Sequence, residues 1–439
     1  MPPGLSPAWR WVLAVVLVLQ LAVIAGTATF AALKLPYFSP IDESAHYSYI
    51  QQIAEHGSLP VLGKTEATPQ ALAIEHGVYP HLFPASKQPG LERLSYEALQ
   101  PPLYYIAAVP AFLMTSNYLD KVFAVRLFDV LLLLATVGLA GRLSRVVLKD
   151  RWLVGWSMLL VFLVLPAVVV RMVLISNLAL ALPMTVLFIT ELWIAWERHS
   201  GRRLTIAGLV LGLCVLTELE LVALIPVFLL VVAAEGHRRW SARTWRRLIA
   251  AVAVPLVVTA PWFLFNEAHY HMLTAGTIAI REQTPILNPD HIRYSIGQLP
   301  DVTVSLLNPT VPSEWVSSLS GQPALTYLSQ LLGVLIVPAA VVLILGTGRR
   351  LWSVRTAILG LPWVFTMAEM WYIHFGQQWQ VDVRYTFASM PILLILAADA
   401  TDILRPRFLP VLVTAGATAS TFALWGYYLI SYSGPFAFR

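Results

Sequence analysis

An adjacent carboxylate pair, Asp42-Glu43, follows the first long apolar run of the chain, in the segment Tyr37-Phe38-Ser39-Pro40-Ile41-Asp42-Glu43-Ser44-Ala45-His46-Tyr47. An ionised carboxylate placed against a hydroxyl can act as a general base, and the neighbouring His46 and Tyr47 are candidates for contact with a substrate. The same spacing has a structural reading. Ser39 can cap a helix, Pro40 suits its first position, and Asp42 three residues beyond the cap completes a capping box. The two readings are compatible, because the helix dipole keeps a first-turn carboxylate ionised and available as a base.

Other groups with chemical potential are scattered. Glu369 falls inside an apolar run, where a carboxylate marks a functional position or needs a buried partner on another helix. Glu218 and Glu220 fall where two apolar runs meet, and an exposed turn accounts for them. His269 and His271 beside Glu267 have metal-binding residue types. They lack a third clear ligand, so a solvated interfacial loop explains them better and no metal is expected to be required. The single cysteine, Cys214, excludes an intramolecular disulfide and a Cys-based metal site.

The elements that must position these residues are membrane helices. Hydrophobic residues make up 58% of the 439 and charged residues only 12%, against about 25% charged in an ordinary soluble domain. Apolar stretches long enough to span a bilayer lie near 11–33, 123–141, 152–170, 174–195, 204–218, 219–235, 249–266, 326–346, 356–375, 386–403 and 408–430. The apolar segment Leu103 to Thr115 would reach only about 20 Å as a helix, short of a hydrocarbon core of about 30 Å. It is expected to lie at the interface.

The positive-inside rule supports that count. With about eleven spans, Arg10, the short basic loops around 142–151, 198–203, 238–247 and 349–355, and Arg405 and Arg407 all share one side. The net charge of +5 thus sits in topogenic clusters rather than in a nucleic-acid-binding surface. The expected architecture is an all-α polytopic membrane protein, one domain over 1–439, with the N-terminus inside. The first and fourth extracytoplasmic loops, 34–122 and 267–325, are the long ones, and interfacial helices are expected in them. No glycine-rich phosphate loop between a strand and a helix is present, so no cytoplasmic nucleotide-binding domain is expected.

The pattern resembles the GT-C glycosyltransferases, and most closely the protein O-mannosyltransferases and their bacterial relatives. Beside Asp42-Glu43, the resemblance rests on Gln100-Pro101-Pro102-Leu103-Tyr104-Tyr105, Arg126, Ser176-Asn177, Pro261-Trp262-Phe263-Leu264-Phe265-Asn266, and Arg384-Tyr385 followed by Met390-Pro391. It runs from about residue 10 to about 400. There are departures. Thr217 is followed by Glu218 where many relatives have lysine, and Val381-Asp382-Val383 precedes Arg384 in place of Gln-Gly.

The resemblance implies a GT-C-like fold and inverting transfer of a monosaccharide, hexose or pentose, from a polyprenyl-phosphate carrier to a glycan, lipid or protein hydroxyl. Asp42 would be the base, with Glu43 shaping the site or binding an acceptor or metal. Gln100, Tyr104, Asn177, Asn266, Glu369 and Tyr385 are carried over as substrate-binding candidates. The departing phosphate needs a cation or a helix N-terminus. Arg384 at the outer start of a helix is one candidate, with an ion pair to Asp382 as the alternative, and Arg171 is another. Lipid delivery fits a membrane domain that meets membrane lipids and no nucleic acid, in a bacterial plasma membrane with an extracytoplasmic site. A transporter or flippase of lipid-linked glycans would concentrate polar residues near the midplane, whereas here they gather in the outer loops. A non-catalytic GT-C-like assembly partner is the third reading.

Overall fold

The computed structural model describes residues 6–35, 37–38, 42–78, 96–238, 241–273, 353–377, 386–400, 415–416, 418–419 and 425. Among the described residues the regular elements are all helices, the α-helices being α1 (Pro7–Lys34), α2 (Glu43–His56), α3 (Pro69–Val78), α4 (Leu103–Phe112), α5 (Tyr118–Leu148), α6 (Trp152–Leu163), α7 (Pro166–Val173), α8 (Leu178–Arg198), α9 (Gly201–Thr217), α10 (Ile225–Arg238), α11 (Ala242–Tyr270), α12 (Val354–Gln377) and α13 (Met390–Ala400). Five described helical segments are long and apolar enough to cross a membrane: Pro7–Lys34, Tyr118–Leu163, Leu178–Arg198, Leu219–Arg238 and Thr244–Tyr270. The chain is a multi-pass membrane protein. The expected spans near 326–346 and 408–430 lie wholly or largely outside the described residues.

Local sequence explains the ends of these elements. Pro7 occupies a first-turn position of α1, where its missing N–H costs nothing. Asn117 caps α5 by accepting from Leu119 N at 3.0 Å, and Ser241 caps α11 by accepting from Thr244 N at 3.1 Å. Gly57 ends α2 with φ +66°, a conformation that favours glycine. The expected span 152–170 is broken in two: Leu165 is extended ahead of Pro166, because a proline ring pushes the preceding residue out of the helical region. The Val164 carbonyl at this break accepts from Trp425 Nε1 at 2.8 Å. The span that begins at 219 starts as a 3₁₀ helix, Leu219–Leu224, and becomes α-helical at Ile225.

Burial sorts the helices. Nearly all of α8 is buried within the protein, whereas α1 and α11 keep most of their apolar surface exposed, so α8 is central and the other two are peripheral. Close approach of α9 and α11 depends on two glycines, as in small-xxx-small packing. A Cβ on Gly208 would lie 2.4 Å from Ala251 O, and one on Gly212 3.1 Å from Pro255 Cα. A buried polar pin joins α1 to α6: Gln20 Nε2 donates to Ser157 O at 3.2 Å and to Thr418 Oγ1 at 2.8 Å.

Charged side chains gather at one end of the bundle. Glu191 pairs with both Arg142 and Arg203, Arg355 with Glu197, Arg151 with Asp399, and His199 with Glu235. Because α5 and α8 run toward that end, their N-termini and the C-terminus of α1 lie at the other. The Asp-Glu pair is therefore placed opposite the basic loops.

Candidate active site

The site is built on a buried ion pair. Glu43, the first residue of α2, and Arg126, in the third turn of α5, are both fully inaccessible to solvent. Arg126 Nε donates to Glu43 Oε1 at 2.8 Å and Nη2 to Oε2 at 2.6 Å, the bidentate geometry that suits guanidinium and carboxylate. Nη1 donates to Leu35 O at 2.8 Å, just past the end of α1, and Glu43 Oε1 also accepts from Ile175 N at 3.1 Å. One carboxylate and one guanidinium thus join the end of α1, the start of α2, α5 and the turn before α8. Glu43 was expected to shape the site or to bind an acceptor or metal. The structure places it in the wall, with both oxygens held by protein groups.

Asp42 stands beside this anchor in a different state. Its backbone is left-handed, φ +60° and ψ −5°, and its side chain makes no capping bond to α2. The expected capping box is not formed, since α2 begins at Glu43 and Asp42 precedes it; Ser39 and Pro40 lie outside the described residues. A left-handed aspartate is uncommon, and such strain persists only where the surroundings hold it. As a residue Asp42 is half-buried, in contrast to the fully buried Glu43.

A second set of bonds fixes the turn Ile175-Ser176-Asn177 between α7 and α8. Ile175 N donates to Glu43 and Asn177 Nδ2 donates to Gln100 Oε1 at 3.2 Å. The two ends of the turn are therefore tethered to different parts of the first loop. The Tyr104 hydroxyl donates to the buried carboxylate of Asp129, 3.0 and 3.1 Å from its oxygens. Tyr104→Phe removes the bridge and leaves the Asp129 carboxylate unsatisfied, so a loss of about 1–3 kcal/mol is expected. Adding Asp129→Leu, so that both partners are apolar, should restore part of it, as thermal unfolding of the two purified variants will read.

One turn along α2, His46 Nδ1 lies 2.8 Å from the Tyr105 hydroxyl and 3.8 Å from Glu97. Burial, reinforced by Glu97, holds the Tyr105 phenol well above its usual range. It stays protonated and can donate to His46 Nδ1, which leaves the proton of a neutral imidazole on Nε2. Tyr49 stacks on Tyr105 with centroids 3.8 Å apart and donates to Gln100 O at 3.3 Å. Tyr47 is fully buried between Phe38 and Phe112 and donates to Tyr118 O at 3.2 Å, so it packs the loop onto α5.

The remaining candidates are dispersed. Arg171 is buried in the last turn of α7, directly ahead of the tethered turn. Asn266, 1% exposed near the end of α11, donates through Nδ2 to Leu273 O at 3.2 Å; its Oδ1 is buried without a partner among the described residues. Four residues further on, the Tyr270 hydroxyl accepts from Leu62 N at 2.9 Å, which brings α11 against the first loop. Glu369 Oε2 in α12 is likewise buried without a described partner. His269 is exposed, with Nδ1 2.8 Å from Phe265 O, and among the described residues no group of three or more His, Cys, Asp or Glu is placed to hold a metal. Arg384 and Tyr385 lie outside the described residues.

Two contributors were missed by the sequence reading, Asp129 and Glu97, and Tyr105 entered it only as part of a motif, with no role. A carboxylate one turn after Arg126 inside an apolar run is itself a signal, and it could have identified Asp129.

No protein-family profile matches the chain, and no curated protein matches it. Solved structures do. ArnT from Cupriavidus metallidurans in the apo state superposes with a TM-score of 0.55 and 18% identity, over 98% of this chain and 66% of that one. The form of ArnT bound to undecaprenyl phosphate gives 0.55 and 17%, over 95% and 66%. The archaeal oligosaccharyltransferase AglB from Archaeoglobus fulgidus, in complex with an inhibitory peptide and a dolichol-phosphate, gives 0.43 and 12%, over 98% and 58%. The chain spans 66% of the length of ArnT. The likeness to ArnT establishes the fold, which is of the GT-C type.

Proposed function

We propose that this chain, built on the GT-C fold, is a glycosyltransferase that moves a hexose or pentose from a polyprenyl-phosphate carrier to a hydroxyl of a glycan, lipid or protein acceptor. Asp42 takes the proton of the acceptor hydroxyl while that oxygen attacks the anomeric carbon. The bond from carbon to the phosphate oxygen breaks, polyprenyl phosphate departs with the electron pair, and the configuration inverts. A phosphate leaving group needs little protonation, so one carboxylate suffices where glycoside hydrolysis uses two. Arg384 and Arg171 are proposed to meet the phosphate, and Asn177, Gln100 and Asn266 to line the site. The end of the bundle that carries Asp42 is proposed to be extracytoplasmic, because the basic connections gather at the other end.

The observation that carries this reading is the contrast within the carboxylate pair. Glu43 is bound to Arg126 in the wall, while Asp42, directly beside it in a left-handed backbone, does not serve as the side-chain cap of α2 and stands at the end of the bundle opposite the basic connections. The bound undecaprenyl phosphate in ArnT agrees with a lipid-linked donor. The experiment is deletion of the gene with analysis of the lipid-linked sugars. One polyprenyl-phosphate sugar is expected to accumulate, and to disappear when the wild-type chain, but not Asp42→Asn, is supplied. An unchanged lipid-linked pool, with a glycan lost instead, would oppose the reading.

A further inference from the structure

The cations at the basic end of the bundle fall into two groups. Around α5, α6 and α8 they are matched: Arg142 and Arg203 share Glu191, Arg151 meets Asp399, Arg355 meets Glu197, and Arg145 lies 4.0 Å from the Trp152 ring centre. Where α9, α10 and α11 come together they are not. Arg202, Arg238, Arg246 and Arg247 are exposed, and none of the four pairs with an acid among the described residues. The positive-inside rule accounts for the side these arginines occupy, but not for this division.

The unmatched group surrounds a cleft. His199 and Ser200 line it from the turn between α8 and α9, Glu235 from α10, and Thr244 and Arg247 from α11. The Arg247 stem lies against Gly201, where a Cβ would come 2.7 Å from its Cδ, and this brings Arg247 to the start of α9 beside Arg202. Glu235, the acid in the lining, is buried and engaged by His199 Nδ1 at 2.7 Å, so the arginines set the charge of the rim. Arg246 and Arg247 stand in the first turn of the spanning segment Thr244–Tyr270, next to exposed Trp245 and one turn from Ile249, which is 63% exposed. A tryptophan at headgroup level with apolar residues beyond it is the arrangement of a membrane boundary.

We propose that this cleft binds the headgroup of an anionic phospholipid from the leaflet at the basic end, with Arg202 and Arg247 on the phosphate, Arg238 and Arg246 on the rim, and an acyl chain along Trp245 and Ile249. The guanidinium fork suits a phosphodiester because it donates to two oxygens at once. Basic pockets between helices at the membrane surface hold anionic headgroups in this way. An acidic protein segment would match the charge but leave Ile249 uncovered. The cleft lies at the end of the bundle opposite Asp42, and its occupancy is independent of the sugar transferred.

The test is native mass spectrometry of the purified full chain in detergent, with equal amounts of phosphatidylglycerol and phosphatidylcholine carrying the same acyl chains. Wild type is expected to retain phosphatidylglycerol in preference. Arg202→Gln/Arg247→Gln should lower that preference about 25-fold, at about fivefold for each arginine near a headgroup. Lys64→Gln, in the first loop at the opposite end, should leave it unchanged. If the first pair disturbs folding, Arg202→Gln/Arg246→Gln gives the same reading without touching the packing on Gly201. Equal retention of the two lipids, or a preference that survives both pairs, would overturn the proposal. Displacement of the lipid by millimolar glycerol phosphate would overturn it in favour of a soluble phosphate ligand, and displacement by an acidic peptide in favour of a protein partner.

Discussion

Replacing Glu43 by alanine is expected to unfold much of the site, at a cost of about 3–5 kcal/mol, because it strands a charge inside the protein. Arg126 has no solvent access and both atoms of its fork that face Glu43 are committed to that carboxylate. The same substitution also removes the acceptor for Ile175 N. Arg126→Ala should cost as much, for the reciprocal reason. A double substitution of Glu43 and Arg126 by leucine and methionine should be less damaging to stability than either single alanine, since it leaves no unpaired charge. Thermal unfolding of the purified variants in one detergent provides the comparison. A single variant as stable as wild type would mean that the pair does not anchor the loop.

Asp42→Asn should behave in the opposite way, folding normally while losing transfer by about 10²–10⁴, the usual loss for a positioned base. Asparagine is among the residues that tolerate a left-handed backbone, so the turn at φ +60° is retained. The side chain makes no capping bond to α2, so no helix cap is lost with the charge. The measurement is the initial rate of transfer by purified Asp42→Asn protein, beside its unfolding midpoint. Normal stability with a collapsed rate is the predicted pair of results. A near-normal rate would remove Asp42 from the chemistry.

Much of this architecture is legible in the sequence because lipid imposes coarse rules. Apolar runs of spanning length identified α1, α8 and α11, and the shortness of Leu103 to Thr115 separated α4 from them. The break at Pro166 was less visible, because a hydropathy reading averages over a residue whose effect is steric. The capping box failed for a related reason. Ser39, Pro40 and Asp42 have its spacing, yet Asp42 is left-handed and the helix starts at Glu43, which is committed to Arg126. Tertiary partners were the least legible part. Glu43 and Arg126 are 83 residues apart, and the contacts of Tyr104 with Asp129 and Gln100 with Asn177 span 25 and 77. Motif reading had identified five of those six residues singly, but periodicity does not encode which side chain meets which.

Bond breaking at a lipid-linked sugar separates transfer from transport, and it can be measured directly. Purified wild-type chain is reconstituted in vesicles with polyprenyl-phosphate sugars and an extract of candidate acceptors, and free polyprenyl phosphate is followed by mass spectrometry beside the transbilayer distribution of the donor. The account predicts acceptor-dependent release of polyprenyl phosphate, absent with Asp42→Asn, and a glycosylated product whose anomeric configuration is the inverse of the donor's. Intact lipid-linked sugar redistributed between leaflets, with no polyprenyl phosphate released, would contradict it.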